Sequence, residues 1–277
     1  MDEVVVVTGI GGMGAACARR LGPGRELVIV DIDPDRLEQE RVALADEGFS
    51  VTAVELDVSD RAGVARLAGA VRDLGPLRTL VHTAAFAPSS GQPAIRVLEV
   101  ALMGTEYVLA EFAPLAVLGS VAVCIASNGG YLSPVTPELE RAISTSETDD
   151  LLGIVVPAGD FHPGTGYTIG KRGAHLRVER YAAAWGVNGG RVVSVSPGVT
   201  MTPMGRREME LGPPEAMQAQ ATLPAIKRFG TPTDIANAVA WLAGPDAALV
   251  TGCDLRVDGG LVAAVHAMGI DLNSTSE

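Results

Sequence analysis

Tyr167 and Lys171 stand four positions apart in Tyr167-Thr168-Ile169-Gly170-Lys171. On a helix that spacing puts a phenol and an ammonium on one face, one turn from each other. A free phenol ionises near pKa ~10, too high for efficient proton exchange at neutral pH, and an adjacent cation lowers it by stabilising the phenolate. The pair has the makings of a general acid and base. Taken alone, the spacing also fits an exposed i,i+4 pair of no chemical consequence. Two features weigh against that reading. Lys171 and Lys227 are the only lysines in a chain that otherwise uses arginine, and a guanidinium suits tuned proton transfer less well. Ser127 also follows the apolar run Val121-Ala122-Val123-Cys124-Ile125-Ala126, where a hydroxyl at the carboxyl edge of a sheet can orient a substrate carbonyl.

A second constellation lies near the amino terminus. Gly9, Gly11 and Gly14 form GxGxxG, with Gly12 and Met13 inside it, between the run Val4–Thr8 and a helical stretch from Ala15 to Leu21. Glycines there permit a tight turn and close backbone approach, so a pyrophosphate can sit against amides at the positive end of a helix. About twenty residues on, Asp31 ends the run Leu27–Val30, where a carboxylate accepts hydrogen bonds from ribose hydroxyls. This points to NAD. A ribose 2'-phosphate would be repelled by Asp31 and Asp33, with Arg36 the only nearby cation to offset them. The competing reading of Asp31 is a helix cap before Pro34. Asp57-Val58 closes the third run, where a side chain and an amide meet an adenine.

The elements that must hold these residues are legible too. β-branched runs recur at Val4–Thr8, Leu27–Asp31, Val51–Leu56, Thr79–His82, Ser120–Ala126, Arg191–Ser196 and Cys253–Val257, separated mostly by stretches long enough for a helix. That rhythm predicts a single α/β domain over 1–277, a Rossmann fold with a doubly wound, seven-stranded parallel sheet. Residues 131–165 break it with prolines, the acidic run Glu147–Asp150 and two amphipathic pieces near Leu139–Ile143 and Leu151–Val156. They predict a helical insertion just before Tyr167. A second irregular stretch, about 200–227, carries Met201, Met204, Met209 and Met217 and reads as a mobile cover over a ligand or as an ordinary surface loop.

The net charge of -12 opposes a nucleic-acid partner, since a polyanion would be repelled over most of the surface. Val4 to Val7 is far shorter than the roughly 20 residues that span a bilayer, so no membrane partner and a cytoplasmic location are expected. Cys17, Cys124 and Cys253 read as core thiols, and the tail Asn273–Glu277 as frayed. His82, His162, His175 and His266 show no metal-ligand spacing, and His162 is a candidate pocket residue through its nearness to Tyr167. Trp185 and Trp241 are expected in the core or a subunit interface.

In order along the chain, the glycine loop, Asp31, Asp57-Val58, Ser127, the tyrosine–lysine pair, Ser196-Pro197-Gly198 leading to Thr202-Pro203, Arg228-Phe229-Gly230 and the ending Val257-Asp258-Gly259-Gly260 together resemble the short-chain dehydrogenase/reductase family. The resemblance implies hydride transfer between a nicotinamide and a carbonyl or alcohol carbon. It casts Tyr167 as acid and base, Ser127 as holder of the oxygen, and Lys171 as binder of ribose. Gly9, Gly11, Gly12, Met13, Gly14, Asp31, Ile32, Asp57, Val58, Ala84 and Ala85 would line the cofactor. Thr202 would hold the carboxamide and Val199 the ring, on the segment begun by Pro197 and Gly198.

Three departures stand out. The glycine loop is one residue shorter than TGxxxGxG. Thr83-Ala84-Ala85 replaces an asparagine-alanine-glycine segment, and Ala101 replaces an asparagine that holds a proton-relay water. The long gap from Ser127 to Tyr167 is similar to the bacterial 3α-hydroxysteroid dehydrogenase/carbonyl reductases. That similarity implies a homodimer and a lipophilic alcohol or ketone substrate such as a steroid. An NAD(H)-binding regulatory protein with little turnover, and an epimerase or dehydratase using the cofactor transiently, are the competing functions.

Overall fold

A computed structural model describes residues 3–132, 135–156, 161–212 and 214–269. Strands form where the β-branched runs predict: β1 Val4–Thr8, β2 Glu26–Asp31, β3 Ser50–Glu55, β4 Leu77–His82, β5 Val121–Ile125, β6 Arg191–Pro197 and β7 Asp254–Val257. They make one sheet of order β3-β2-β1-β4-β5-β6-β7, parallel throughout. The order reverses between β1 and β4. Connections leaving these two strands therefore diverge to opposite faces and leave a crevice at their carboxyl ends.

The runs are apolar without alternation because helices cover both faces. Side chains alternate across a strand, so Val5, Val7, Leu27 and Ile29 join one buried cluster and Val4, Val6, Val28 and Val30 the other. The first cluster packs on α1 (Gly12–Leu21), α2 (Pro34–Asp46) and α11 (Pro232–Ala243), through Cys17, Leu44 and Val239 among others. The second packs on α3 (Arg61–Leu74), α5 (Gly104–Phe112) and α8 (Pro163–Gly186), through Leu67, Phe112 and Trp185.

The insertion folds as two helices, α6 Pro137–Thr145 and α7 Thr148–Val155, over the two amphipathic pieces. Its apolar side chains Ile143, Leu151 and Val155 meet Leu98, Leu102 and Leu176 in a third cluster, against α4 (Ala94–Leu98), the π-helical turn Glu99–Met103 and α8. Polar ties reinforce this. Arg177, fully buried, donates from Nε to Glu106 (2.6 Å) and from Nη1 to the carbonyls of Ile143 (2.9 Å) and Ser146 (3.0 Å). Arg180 donates to the carbonyl of Thr145 (2.8 Å). Two arginines of α8 thus satisfy carbonyls that the end of α6 leaves without helical partners. Glu106 also accepts from Thr148 (2.6 Å) and Tyr181 (2.7 Å), so its charge is fully surrounded by donors.

One expectation about burial is corrected. Cys17 and Cys124 are core thiols, but Cys253, just before the edge strand β7, is exposed. Trp185 is a core residue that donates its indole N–H to the carbonyl of Leu109 (3.2 Å), whereas Trp241 is 46% exposed on α11, outside the core of the single chain. The tail Asn273–Glu277 lies outside the described residues, as does part of the insertion. Among the described residues, no helix is long and apolar enough to cross a membrane.

Candidate active site

The crevice at the sheet's carboxyl edge is a cleft of about 560 Å³, within the range of small-molecule sites. One end is built by the glycine turn. Gly9 has φ +85°, and a Cβ on it would stand 2.5 Å from the amide nitrogen of Ala84. A side chain is thus excluded by both conformation and space. Gly11 caps α1 without any side-chain bond, and a Cβ there would meet nothing within 4 Å. Backbone amides at the positive end of α1 therefore face open space, which is the cradle an anion needs. Gly14 serves packing instead: a Cβ would lie 2.0 Å from the carbonyl oxygen of Gly9.

Asp31 is buried, accepting from the amides of Ile10 (2.9 Å) and Asp33 (3.0 Å). The helix cap before Pro34 is Asp33, which accepts from the amides of Asp35 and Arg36. Asp31 instead pins the glycine turn to β2. Arg36 pairs with Asp31 (3.4 Å) and Asp33 (3.1 Å), so the nearest cation is matched by two carboxylates. Asp57 accepts from the amide and hydroxyl of Ser59 and from Arg96. Burial would raise its carboxyl, but these donors outweigh burial and hold it below the ordinary range.

Tyr167 and Lys171 both line the cleft from the first turns of α8. Lys171 is buried, donates Nζ to the carbonyl of Ile125 (2.7 Å), and stands 5.7 Å from the centre of the Tyr167 ring. Burial pulls its ammonium down to about 8. Tyr167 runs opposite to the expected tuning: burial lifts its phenol above the ordinary value, the Ser127 hydroxyl opposes this, and the Glu208 carboxylate adds to it. The lysine's Nζ is engaged by the Ile125 carbonyl. Ser127 is buried, and its Oγ accepts from the amide of Gly129 (3.1 Å), capping the short turn Asn128–Gly130.

The cleft brings together Gly9, Gly11, Gly12, Met13, Asp31, Ile32, Asp57, Val58, Ala84, Ala85, Tyr167, Lys171 and Thr202. Ser127 falls outside the lining but within hydrogen-bonding reach of the Tyr167 phenol, and Gly14, Pro197, Gly198 and Val199 also fall outside it. Gly198 and Val199 border a smaller hollow of about 350 Å³ beside Phe229 and Asp258. His162 is an exposed N-cap of α8, accepting from the amide of Gly164 (3.0 Å), and is not a cleft residue. Of the methionines in 200–227, Met204 lines the cleft.

In the segment that replaces asparagine-alanine-glycine, Thr83 is a polar anchor: its Oγ1 donates to the carbonyls of Thr8 and Gly9, tying β4 to the glycine turn. Ala101 is buried where a Cβ on Gly170 would come within 2.6 Å of it, so two small residues let the π-helical turn touch α8. Reading the chain missed Phe86, Ser89, Arg207 and the Arg96–Asp57 pair, all of which depend on contacts distant in sequence.

A sequence profile of the family described as "Enoyl-(Acyl carrier protein) reductase" matches residues 9–136 and 159–262. The short-chain dehydrogenase/reductase bsc3 of Alternaria brassicicola is 31% identical over 265 residues, spanning 95% of this chain and 96% of that one. The 3beta-hydroxysteroid dehydrogenase 1 of Eggerthella lenta is 29% identical over 269 residues, 94% and 93% of the two chains. Among solved structures, the 3-alpha-hydroxysteroid dehydrogenase of Pseudomonas sp. B-0831 complexed with NADH superposes with a TM-score of 0.75 at 22% identity, covering 96% of this chain and 99% of that one. At that identity the likeness concerns the fold.

Proposed function

The chain belongs to the short-chain dehydrogenase/reductase family of oxidoreductases, and on that premise we propose that it is an NAD(H)-dependent enzyme interconverting a secondary alcohol and a ketone on a lipophilic, steroid-like substrate. The observation that carries this reading is the convergence, in one cleft, of the Tyr167 phenol and Lys171 with an uncapped helix start and Asp31. The residues fit a dinucleotide. The open space at Gly11 admits a pyrophosphate against the α1 amides. Asp31 supplies a ribose acceptor, and Arg36, already matched by two carboxylates, gives a 2'-phosphate little welcome. Asp57 and Val58 would border the adenine, and Thr202 the nicotinamide end. The bound nicotinamide supplies or takes the hydride.

The protein's own residues would handle the oxygen and its proton. Ser127 Oγ and the Tyr167 hydroxyl hold the substrate oxygen between them. In ketone reduction Tyr167, kept protonated by burial, donates its proton to that oxygen as the carbon is reduced. In alcohol oxidation it must first lose that proton, and the Lys171 ammonium, released from Ile125 toward a ribose, is the cation that would favour the phenolate. Residue 101 is alanine, so proton exchange with solvent would run along Lys171 and the cofactor side of the cleft. Phe86, Ala87, Val100, Pro203 and Met204 give the remaining wall apolar side chains beside Ser89, Ser90 and Arg207, which suits a lipophilic substrate carrying a polar group. The named substrate of the Eggerthella lenta relative is of that class.

The insertion covers part of α8 and α4 with its own apolar side chains, leaving less of that face for a second copy. This supports a homodimer, checked by light scattering on the eluting protein. The test of function is NADH oxidation against a panel of steroid and small aromatic ketones. Turnover with NADH and not NADPH supports the reading, whereas NADH binding without turnover on every ketone favours a regulatory protein.

A further inference from the structure

One turn beyond Lys171 on α8, His175 is buried and takes no part in the proton chemistry above. Its Nε2 lies 2.7 Å from Ser196 Oγ. Ser196 and Ser194 donate to Asp254 Oδ1 at 3.0 and 2.6 Å, and the Tyr131 hydroxyl donates to Oδ2 at 3.0 Å. An ionised carboxylate only accepts, so the single proton of Ser196 goes to Asp254 and its oxygen must accept from His175. That places the imidazole proton on Nε2. Burial pushes the imidazole down to about 4, so it carries only that proton at neutral pH, and Nδ1 is buried without a partner among the described residues.

The network is costly in kind. Most sheet positions bury valine, isoleucine and leucine, with Thr8 and His82 an exception on β1 and β4, whereas β6 and the edge strand β7 bring two hydroxyls and a carboxylate into register at Ser194↔Asp254 and beside Ser196. Buried polar groups that find partners specify one arrangement, and here the network's side-chain oxygens are all bonded while the imidazole Nδ1 is not, among the described residues. Four elements meet here. Tyr131 follows directly on the turn Asn128–Gly130 that Ser127 caps. Its ring lies 4.7 Å from the imidazole, centre to centre, and a Cβ on Gly130 would stand 2.8 Å from the imidazole Cε1. The histidine therefore fills the space that a side chain in the serine turn would need.

We propose that His175, through Ser196 and Asp254 to Tyr131, is a positioning residue that fixes the Ser127 turn against the Tyr167–Lys171 helix, so that serine hydroxyl and phenol converge on one substrate oxygen. The proposal rests on the dehydrogenase reading. Its test compares His175→Leu, which keeps bulk without a donor, with His175→Gln, whose amide restores a donor toward Ser196. On a ketone that the wild type reduces, His175→Leu lowers kcat by about 10- to 100-fold, the scale of an ångström's misplacement. NADH affinity and ketone KM stay close to wild type, and His175→Gln recovers most of the loss. Wild-type kcat in His175→Leu overturns the proposal. An equal loss in both variants, accompanied by loss of NADH affinity and Tm, also overturns it. Should His175→Leu not fold, Tyr131→Phe, which removes one hydroxyl of the network, carries the same kinetic readouts.

If the wild type reduces no ketone, it is the dehydrogenase reading that fails. Positioning is then decided by amide hydrogen exchange in the turn, where the amides of Gly130 and Tyr131 donate to the carbonyls of Ser127 and Asn128 at 3.0 Å each. Protection falls in His175→Leu and returns in His175→Gln; unchanged protection overturns the proposal.

Discussion

The floor of the cleft and its roof are built on different principles. On the floor, Gly9 is locked by a left-handed backbone and a neighbouring amide, Asp31 ties the glycine turn to β2, and Lys171 is bonded to the end of β5. The roof is α9 (Pro203–Leu211), which buries none of its residues. Among the described residues, its one side chain hydrogen-bonded to another element is Glu208, accepting from the amide of Ser89 (2.9 Å) and from its hydroxyl. A floor with many buried ties opens only at a cost near that of global unfolding, while a segment with few buried contacts opens cheaply. The chain fixes the place of chemistry and leaves the entrance to a single clasp, as an enzyme that must admit and release its substrate requires.

Changes on the floor should therefore be severe, and changes on the roof mild. Tyr167→Phe removes the proton donor and should lower turnover by about 10²- to 10⁴-fold while NADH fluorescence titration gives a nearly unchanged Kd; full activity in the variant would remove Tyr167 from the acid role. Gly9→Ala comes next. Forcing an alanine into the left-handed region costs about 1–2 kcal/mol, and its Cβ meets Ala84, so Tm and NADH affinity should fall together. An unaffected NADH Kd would show that the turn does not face the cofactor.

Asp31→Asn keeps most of the bonds to Ile10 and Asp33 while deleting the charge. It should raise NADPH affinity relative to NADH, with Arg36 freed from one of its two carboxylates; a constant ratio would mean that Asp31 acts only on the glycine turn. A titration sharpens the same contrast. Because burial raises the Tyr167 phenol, the cofactor-free protein should show one phenol fewer in Tyr167→Phe only above the ordinary tyrosine range, by ultraviolet difference absorbance. A step lost near neutral pH would mean that Lys171 already tunes the phenol without cofactor. On the roof, Glu208→Gln weakens a hydrogen bond worth about 1 kcal/mol, so substrate KM should rise about fivefold with Tm unchanged. A large fall in Tm would make α9 part of the floor.

The sheet was legible because period and β-branching are local signals: each of the seven runs overlaps its strand, and boundaries moved by a residue or two, as at Glu26 and Leu77. The insertion was legible as two helices for the same reason, since Ile143 and Leu151 already marked its apolar faces. The glycine turn, Asp31, Tyr167 and Lys171 came from spacing along one segment. What escaped depends on pairs far apart in sequence. Asp57 with Arg96, Ser89 with Glu208, and His175 with Ser196 and Asp254 carry no mark in their own neighbourhoods. The anchoring role of Thr83 lies in which carbonyls it meets, and the exposure of Cys253 was not legible because an apolar neighbourhood in sequence does not reveal an edge strand.

The most direct test of the central claim follows the hydride itself. Ketone reduction is run with NADH deuterated at the transferring position of nicotinamide C4, and the alcohol product is examined by mass spectrometry. Deuterium at the carbinol carbon, formed by the wild type and almost absent with Tyr167→Phe, is the predicted result. Alcohol that forms without label at that carbon, or at the same rate in the variant, would contradict it.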